Sequence, residues 1–183
     1  MKLETTAISG VVVVELEPRV DERGSFARLW CRRELETAGL NGEFVQTNVA
    51  TNPRRRTLRG LHFQSAPYAE AKLVWCPRGA LFDVAVDLRS GSPTYGEWFG
   101  IELAAGAGRQ LYVPDGCAHG YLTLADDTEL AYATTRFYEP DAAAGVRYDD
   151  PVLGIQWPHP PKIVGERDRS WPLLRAGAEG TAG

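Results

Sequence analysis

The chain has 183 residues, a formal net charge of −4, 44% hydrophobic and 24% charged residues. That length fits one domain with a sizeable core, and the composition is that of a soluble globular protein. No apolar run approaches the roughly 20 residues of a bilayer span, and the negative balance offers no footprint for a nucleic-acid backbone. Neither a membrane nor nucleic acid is an expected partner.

Met1 to Gly10 lacks the basic start and apolar stretch of a secretory signal, so a cytoplasmic location is expected. Short segments rich in Val, Leu, Phe, Trp and Tyr then recur between Gly and Pro turns, the pattern of an all-β sandwich or barrel. The expected strands are Val11 to Glu15, Ser25 to Trp30, Phe44 to Ala50, Leu58 to Gln64 and Lys72 to Trp75. Ala80 to Leu88, Trp98 to Leu103, Gln110 to Val113, Ala118 to Leu124 and Glu129 to Thr134 follow. Arg33 to Ala38 reads as a short helix stopped by Gly39, where a left-handed cap is favoured. Beyond Asp150-Pro151 the chain turns proline-rich and loses periodicity. The segment to Leu174 is expected to wrap the surface of a single domain, 1–174, and residues 175–183 to fray.

The candidates for chemistry are few. Cys31, Cys76 and Cys117 are odd in number and widely spaced, so they read as free thiols. Arg54, Arg55, Arg56 and Arg59 form a local basic cluster in which Arg59 alone is expected to point anywhere useful. In Leu58-Arg59-Gly60-Leu61-His62-Phe63-Gln64, regular pleating puts Arg59 and His62 on opposite faces. A bulge or bend at Gly60 would let both reach one cavity. The pattern leaves His62 open between a catalytic group and a satisfied core histidine. His119 follows the turn Pro114-Asp115-Gly116, as in the second half of a cupin signature, but the earlier strand supplies only His62. Two core histidines without a clustered carboxylate make a poor divalent site, so no metal is expected. Lys72 reads as an edge lysine or a buried charge, Asp83 and Asp87 need partners or water, and Tyr132 reads as core filling with Leu130 and Thr134 on its strand face.

Together these segments resemble the dTDP-4-dehydrorhamnose 3,5-epimerase family over about Asp21 to Leu174. The motifs run in order: Asp21-Glu22-Arg23-Gly24-Ser25-Phe26, Gln46-Thr47-Asn48, Leu58 to Gln64, Lys72-Leu73-Val74, Asp83 to Arg89 and Pro114 to Gly120. Tyr132, Tyr138-Glu139-Pro140, Asp149-Asp150-Pro151, Gly154 to Pro158 and Arg167-Asp168 complete them.

The resemblance implies a cupin-type jelly roll, usually a homodimer, acting without redox cofactor on a nucleotide-linked 4-keto-6-deoxyhexose. A C4 keto group acidifies the hydrogens at C3 and C5, so inversion needs a base, an opposing acid and a donor for the enolate. The resemblance assigns His62 as base, Asp168 as the carboxylate that orients it, Lys72 beside the enolate oxygen and Tyr132 as acid. Arg23 and Arg59 are implied at the diphosphate, Phe26 stacked on the base, and Gln46 and Asn48 as polar contacts. Tyr138 and His119 line the same pocket, with Asp83 behind them. Arg28 stands where the family commonly has a glutamate, and Val164-Gly165-Glu166 where a serine usually precedes the aspartate. The rivals are an epimerase acting at one carbon only, a cupin 3,4-ketoisomerase, a sugar-binding cupin without catalysis and a metal-dependent cupin oxygenase.

Overall fold

The computed structural model describes residues 1–174, so the expectation for 175–183 lies outside the described residues. In chain order it has β1 (Lys2–Thr5), β2 (Val12–Glu15), β3 (Arg19–Asp21), β4 (Gly24–Phe26) and helix α1 (Arg32–Thr37). Then come β5 (Gln46–Asn52), β6 (Thr57–Gln64), β7 (Lys72–Arg78), β8 (Ala80–Asp87) and β9 (Trp98–Ala104). The last are β10 (Arg109–Val113), β11 (Cys117–Thr123), β12 (Thr128–Thr134), β13 (Ala143–Gly145), β14 (Ile163–Val164) and helix α2 (Glu166–Ser170).

The strands form two facing sheets. One runs β1-β2-β10-β7-β12-β5, antiparallel throughout, and the other β13-β6-β11-β8-β9, with β14 added in parallel to β6. Period-two alternation turns Val13, Val74, Leu111 and Leu130 of the first sheet towards Leu81, Ala85, Leu103 and Tyr121 of the second. Burying such side chains stabilises the sandwich by about 1.5–3 kcal/mol each. The all-β jelly-roll expectation is borne out.

The outer faces are covered too. Leu153, Ile155 and Trp157 of the C-terminal segment pack over Leu61, Val84 and Val86 of the second sheet, so this segment does wrap the surface. Leu40 and Phe44, from the loop after α1, cover Val12, Val14 and Tyr112 of the first. The helix stops as expected: Gly39 has φ +75°, its amide donates to Glu36 O and the amide of Leu40 to Leu35 O, both at 3.0 Å. This paired closure satisfies carbonyls that the last turn leaves open.

One expected strand is corrected, and four short elements are added. The strand drawn from Ser25 to Trp30 ends at Phe26, in a hairpin with β3 that belongs to neither large sheet. Trp30 instead lies on the surface, 44% exposed, and donates its indole N–H to Gly42 O at 3.1 Å. β1 was not expected because Lys2-Leu3-Glu4-Thr5 is mostly exposed, and β13, β14 and α2 are too short to carry a periodic signal.

Candidate active site

A cavity of about 460 Å³ opens between the two sheets. One wall is sheet one, with Gln46, Lys72, Tyr132 and Thr134; the facing wall is sheet two, with Arg59, His62 and His119. Arg167 and Asp168 of α2 close one side.

The path of β6 decides what faces this space. His119 lies opposite His62 and Tyr121 opposite Arg59, so two steps along β11 match three along β6. The extra residue is a bulge at Gly60-Leu61, and it puts Arg59 and His62 on the same face. Regular pleating would have separated them. Gly60 has φ +134°, and a Cβ there would lie 2.5 Å from the Cα of Gly120. A Cβ on Gly120 would in turn lie 2.8 Å from Arg59 O, so the bulge exists because two glycines meet across the strands.

His62 Nε2 lies 2.6 Å from Asp168 Oδ1, and Asp168 Oδ2 accepts the Gly60 amide at 3.1 Å. The imidazole keeps 43% of its side-chain surface exposed while the carboxylate keeps 9%. Burial pushes the Asp168 carboxyl up; the His62 hydrogen bond and charge and the Gly60 amide outweigh it, so the group sits below the usual carboxylate range. The arrangement is a charged orienting group behind a ring whose other side is free for substrate. Trp171 packs edge-on to His62 at 6.3 Å between ring centroids, with Arg167 stacked 4.9 Å above its ring.

Lys72 is not at an edge. Its strand β7 lies between β10 and β12, and its ammonium donates to His62 O at 3.1 Å and pairs with Glu70 at 3.0 Å. Tyr132 reaches the cavity from the same sheet with Leu130 and Thr134, the face that alternation predicts. Burial first, then the charge of Glu70, raises the ionisation of its phenol above the ordinary value. His119 has its own buried partner, Asp83, at 2.8 Å. Burial raises the Asp83 carboxyl, against the pull of His119 and Lys72. His62 and His119 are thus each engaged with one carboxylate, and no group of three or more His, Cys, Asp or Glu among the described residues is arranged to hold a metal.

Arg59 donates from Nε to Asn52 Oδ1 at 3.0 Å, and Asn52 is held in turn by the buried hydroxyl of Tyr121. Arg54, Arg55 and Arg56 do not line the cavity. Gln46 lines it and donates to Asn48 at 3.2 Å, which stands behind it on β5. Tyr138 is half exposed at the rim. Arg23, Phe26 and Arg28 lie outside the cavity: Arg23 pairs with Asp21 at 2.5 Å, Phe26 is exposed, and Arg28 pairs with Glu34. Asp87 finds its partners elsewhere and anchors the turn after β8 through Arg89, Ser92 and Thr94. Residues missed from sequence are Glu70, Asn52, Arg136, Arg167 and Trp171. For Glu70 the signal was available, since it stands two positions before Lys72 and shares its face.

The sequence model of the family described as dTDP-4-dehydrorhamnose 3,5-epimerase matches residues 5–176. The chain belongs to this family. A dTDP-4-dehydrorhamnose 3,5-epimerase of Sinorhizobium fredii is 42% identical over 95% of this chain and 90% of its own length. A dTDP-4-dehydrorhamnose 3-epimerase of Streptomyces niveus is 38% identical over 95% of this chain and 84% of its own. The crystal structure of the Bacillus anthracis dTDP-4-dehydrorhamnose 3,5-epimerase with TDP and pyrophosphate bound superposes with a TM-score of 0.90 at 40% identity, covering 94% of this chain and 99% of that one. The match to the family's sequence model includes the C-terminal segment that carries Asp168.

Proposed function

We propose that the protein is an epimerase of a dTDP-linked 4-keto-6-deoxyhexose, inverting C3, C5 or both through an enolate. The observation that carries this reading is the facing of His62, on sheet two, by Tyr132, on sheet one, with Lys72 beside them. A sugar ring between the sheets has a base on one side and an acid on the other. His62 takes the hydrogen next to the carbonyl, and Asp168 stabilises the imidazolium. The electron pair moves onto the C4 oxygen, where the Lys72 ammonium donates to it. Tyr132 then returns a proton to carbon from the opposite side, and the phenolate and imidazolium reset through solvent.

Arg59, with Arg136 and Arg167 at the rim, suits a diphosphate because guanidinium donors match phosphate oxygens in a fork. Arg23 and Phe26 lie outside the cavity of their own chain, so their implied nucleotide role is met if the β3-β4 hairpin covers the cavity of a second copy. Val20 and Phe26 on that hairpin are 76% and 74% exposed, and Val49 on the edge strand β5 is 62% exposed. Such a surface suits a homodimer. Val49→Glu is expected to yield a monomer in light-scattering chromatography, and a monomeric wild type would refute the dimer.

The described residues contain no helix long and apolar enough to cross a membrane. Three unbridged thiols fit a reducing compartment such as the cytoplasm. The deciding experiment is incubation with dTDP-4-keto-6-deoxyglucose in deuterium oxide, following each sugar proton by NMR. Exchange at C3 and C5 supports double inversion, and exchange at one carbon supports the single-site activity named for the Streptomyces niveus relative. Exchange at neither carbon refutes the epimerase reading.

A further inference from the structure

We propose that Glu70 is a positioning residue that acts through Lys72, aiming its ammonium at the keto oxygen of the substrate; this rests on the epimerase reading. Glu70 stands just ahead of β7, in the cavity wall, and its side chain is 6% exposed against 10% for Lys72. A carboxylate at that depth carries a large desolvation penalty unless an opposite charge meets it. Lys72 Nζ meets it, 3.0 Å from Oε1, while Oε2 has no hydrogen-bond partner among the described residues.

The ammonium has three N–H donors on a flexible four-carbon stem. Two directions are taken, one by Glu70 and one by the backbone oxygen of His62 at 3.1 Å. Tetrahedral geometry then fixes the third. That donor remains for an acceptor in the cavity, and the atom that gains negative charge in the reaction is the C4 oxygen. The second acceptor belongs to His62 itself, so the same contact ties the enolate donor to the strand position of the base. Without Glu70 the stem keeps a single anchor and the ammonium can swing away.

The test compares wild type, Glu70→Ala, Glu70→Gln, Glu70→Asp, Lys72→Ala and the Glu70→Ala/Lys72→Ala double variant in steady-state turnover of dTDP-4-keto-6-deoxyglucose. Glu70→Ala is expected to lower kcat about 30-fold with KM within about twofold, as misplacing a reacting group by about an ångström does. Glu70→Gln keeps an acceptor oxygen and should retain about one third of wild-type kcat, whereas Glu70→Asp withdraws the carboxylate and should lose about tenfold. In the Lys72→Ala background, Glu70→Ala should cost no more than about twofold, because its effect passes through the lysine. Full kcat in Glu70→Ala, multiplicative losses in the double variant, or a raised KM at unchanged kcat would overturn the proposal. Should Glu70→Ala fail to fold, as read by circular dichroism, Glu70→Asp decides: a wild-type kcat refutes the role and a reduced one supports it. A wild-type enzyme that turns over no substrate refutes the epimerase reading instead.

Discussion

The 2.6 Å contact between His62 Nε2 and Asp168 Oδ1 sets a buried carboxylate against an imidazole that still faces open space. Such a carboxylate fixes which ring nitrogen carries the proton, so Asp168→Asn should lower kcat about 10³-fold with little change in KM. Removing the base itself is a different experiment. His62→Ala should abolish exchange of sugar hydrogens with deuterium oxide, whereas Tyr132→Phe should still allow exchange but impair inversion. Equal, mild losses from both would mean that the two roles are misassigned. His62 was readable only as a candidate from its strand, because a histidine on an alternating strand is as often satisfied in a core. Asp168 was legible only through the family's motif, since 105 residues lie between it and His62.

At the scale of the element, the bulge in β6 is what gives the cavity both a base and a cation. Gly60 marked the place where pleating could break, and the pairing with β11 shows the extra residue there. A side chain at this position meets backbone rather than a movable side chain. Gly60→Ala should therefore destabilise the fold by about 3 kcal/mol, read as a lowered urea midpoint, and should cost activity in whatever fraction folds. Gly39→Ala, where nothing lies within 4 Å of the added atom, should cost only the strain of a positive φ, about 1 kcal/mol. Similar costs for both would refute the close-approach account. The hairpin of β3 and β4 marks the opposite case: its residues alternate like a strand, yet no sheet of the same chain receives it.

For the molecule as a whole, three carboxylates link the fold to pH. Burial raises Asp87, but bonds from Arg89, Ser92 and Thr94 outweigh it and hold it well below the usual range; Asp168 is held low by His62 and Gly60 against the same burial. A group depressed in the folded state contributes stability above its unfolded value, near 3.9, and loses it as pH falls through the folded value. Asp83 acts with the opposite sign, because burial raises it. The contributions of Asp87 and Asp168 to stability measured by urea unfolding should therefore be complete above about pH 5 and fall away below about 4. Asp87→Asn should lower stability at pH 7 and weaken that acid dependence. An unchanged acid slope would remove Asp87 as its source.

What the sequence by itself determined is local: short alternating strands, glycines at turns and at the bulge, a helix closed by Gly39, and a set of motifs ordered closely enough to indicate the family. Their physical cause lies within a few residues of each position. Tertiary structure alone decided which side chains meet. Lys72 reads as an edge residue until β10 and β12 flank its strand, and Glu70 has no meaning until its carboxylate is buried against that ammonium. Trp171 reaches His62, and Arg167 stacks on Trp171, because the C-terminal segment folds back over the outer face of the second sheet. Those pairings depend on strand order and on burial, which raise the strength of each charge interaction and are properties of the assembled sandwich rather than of any segment within it.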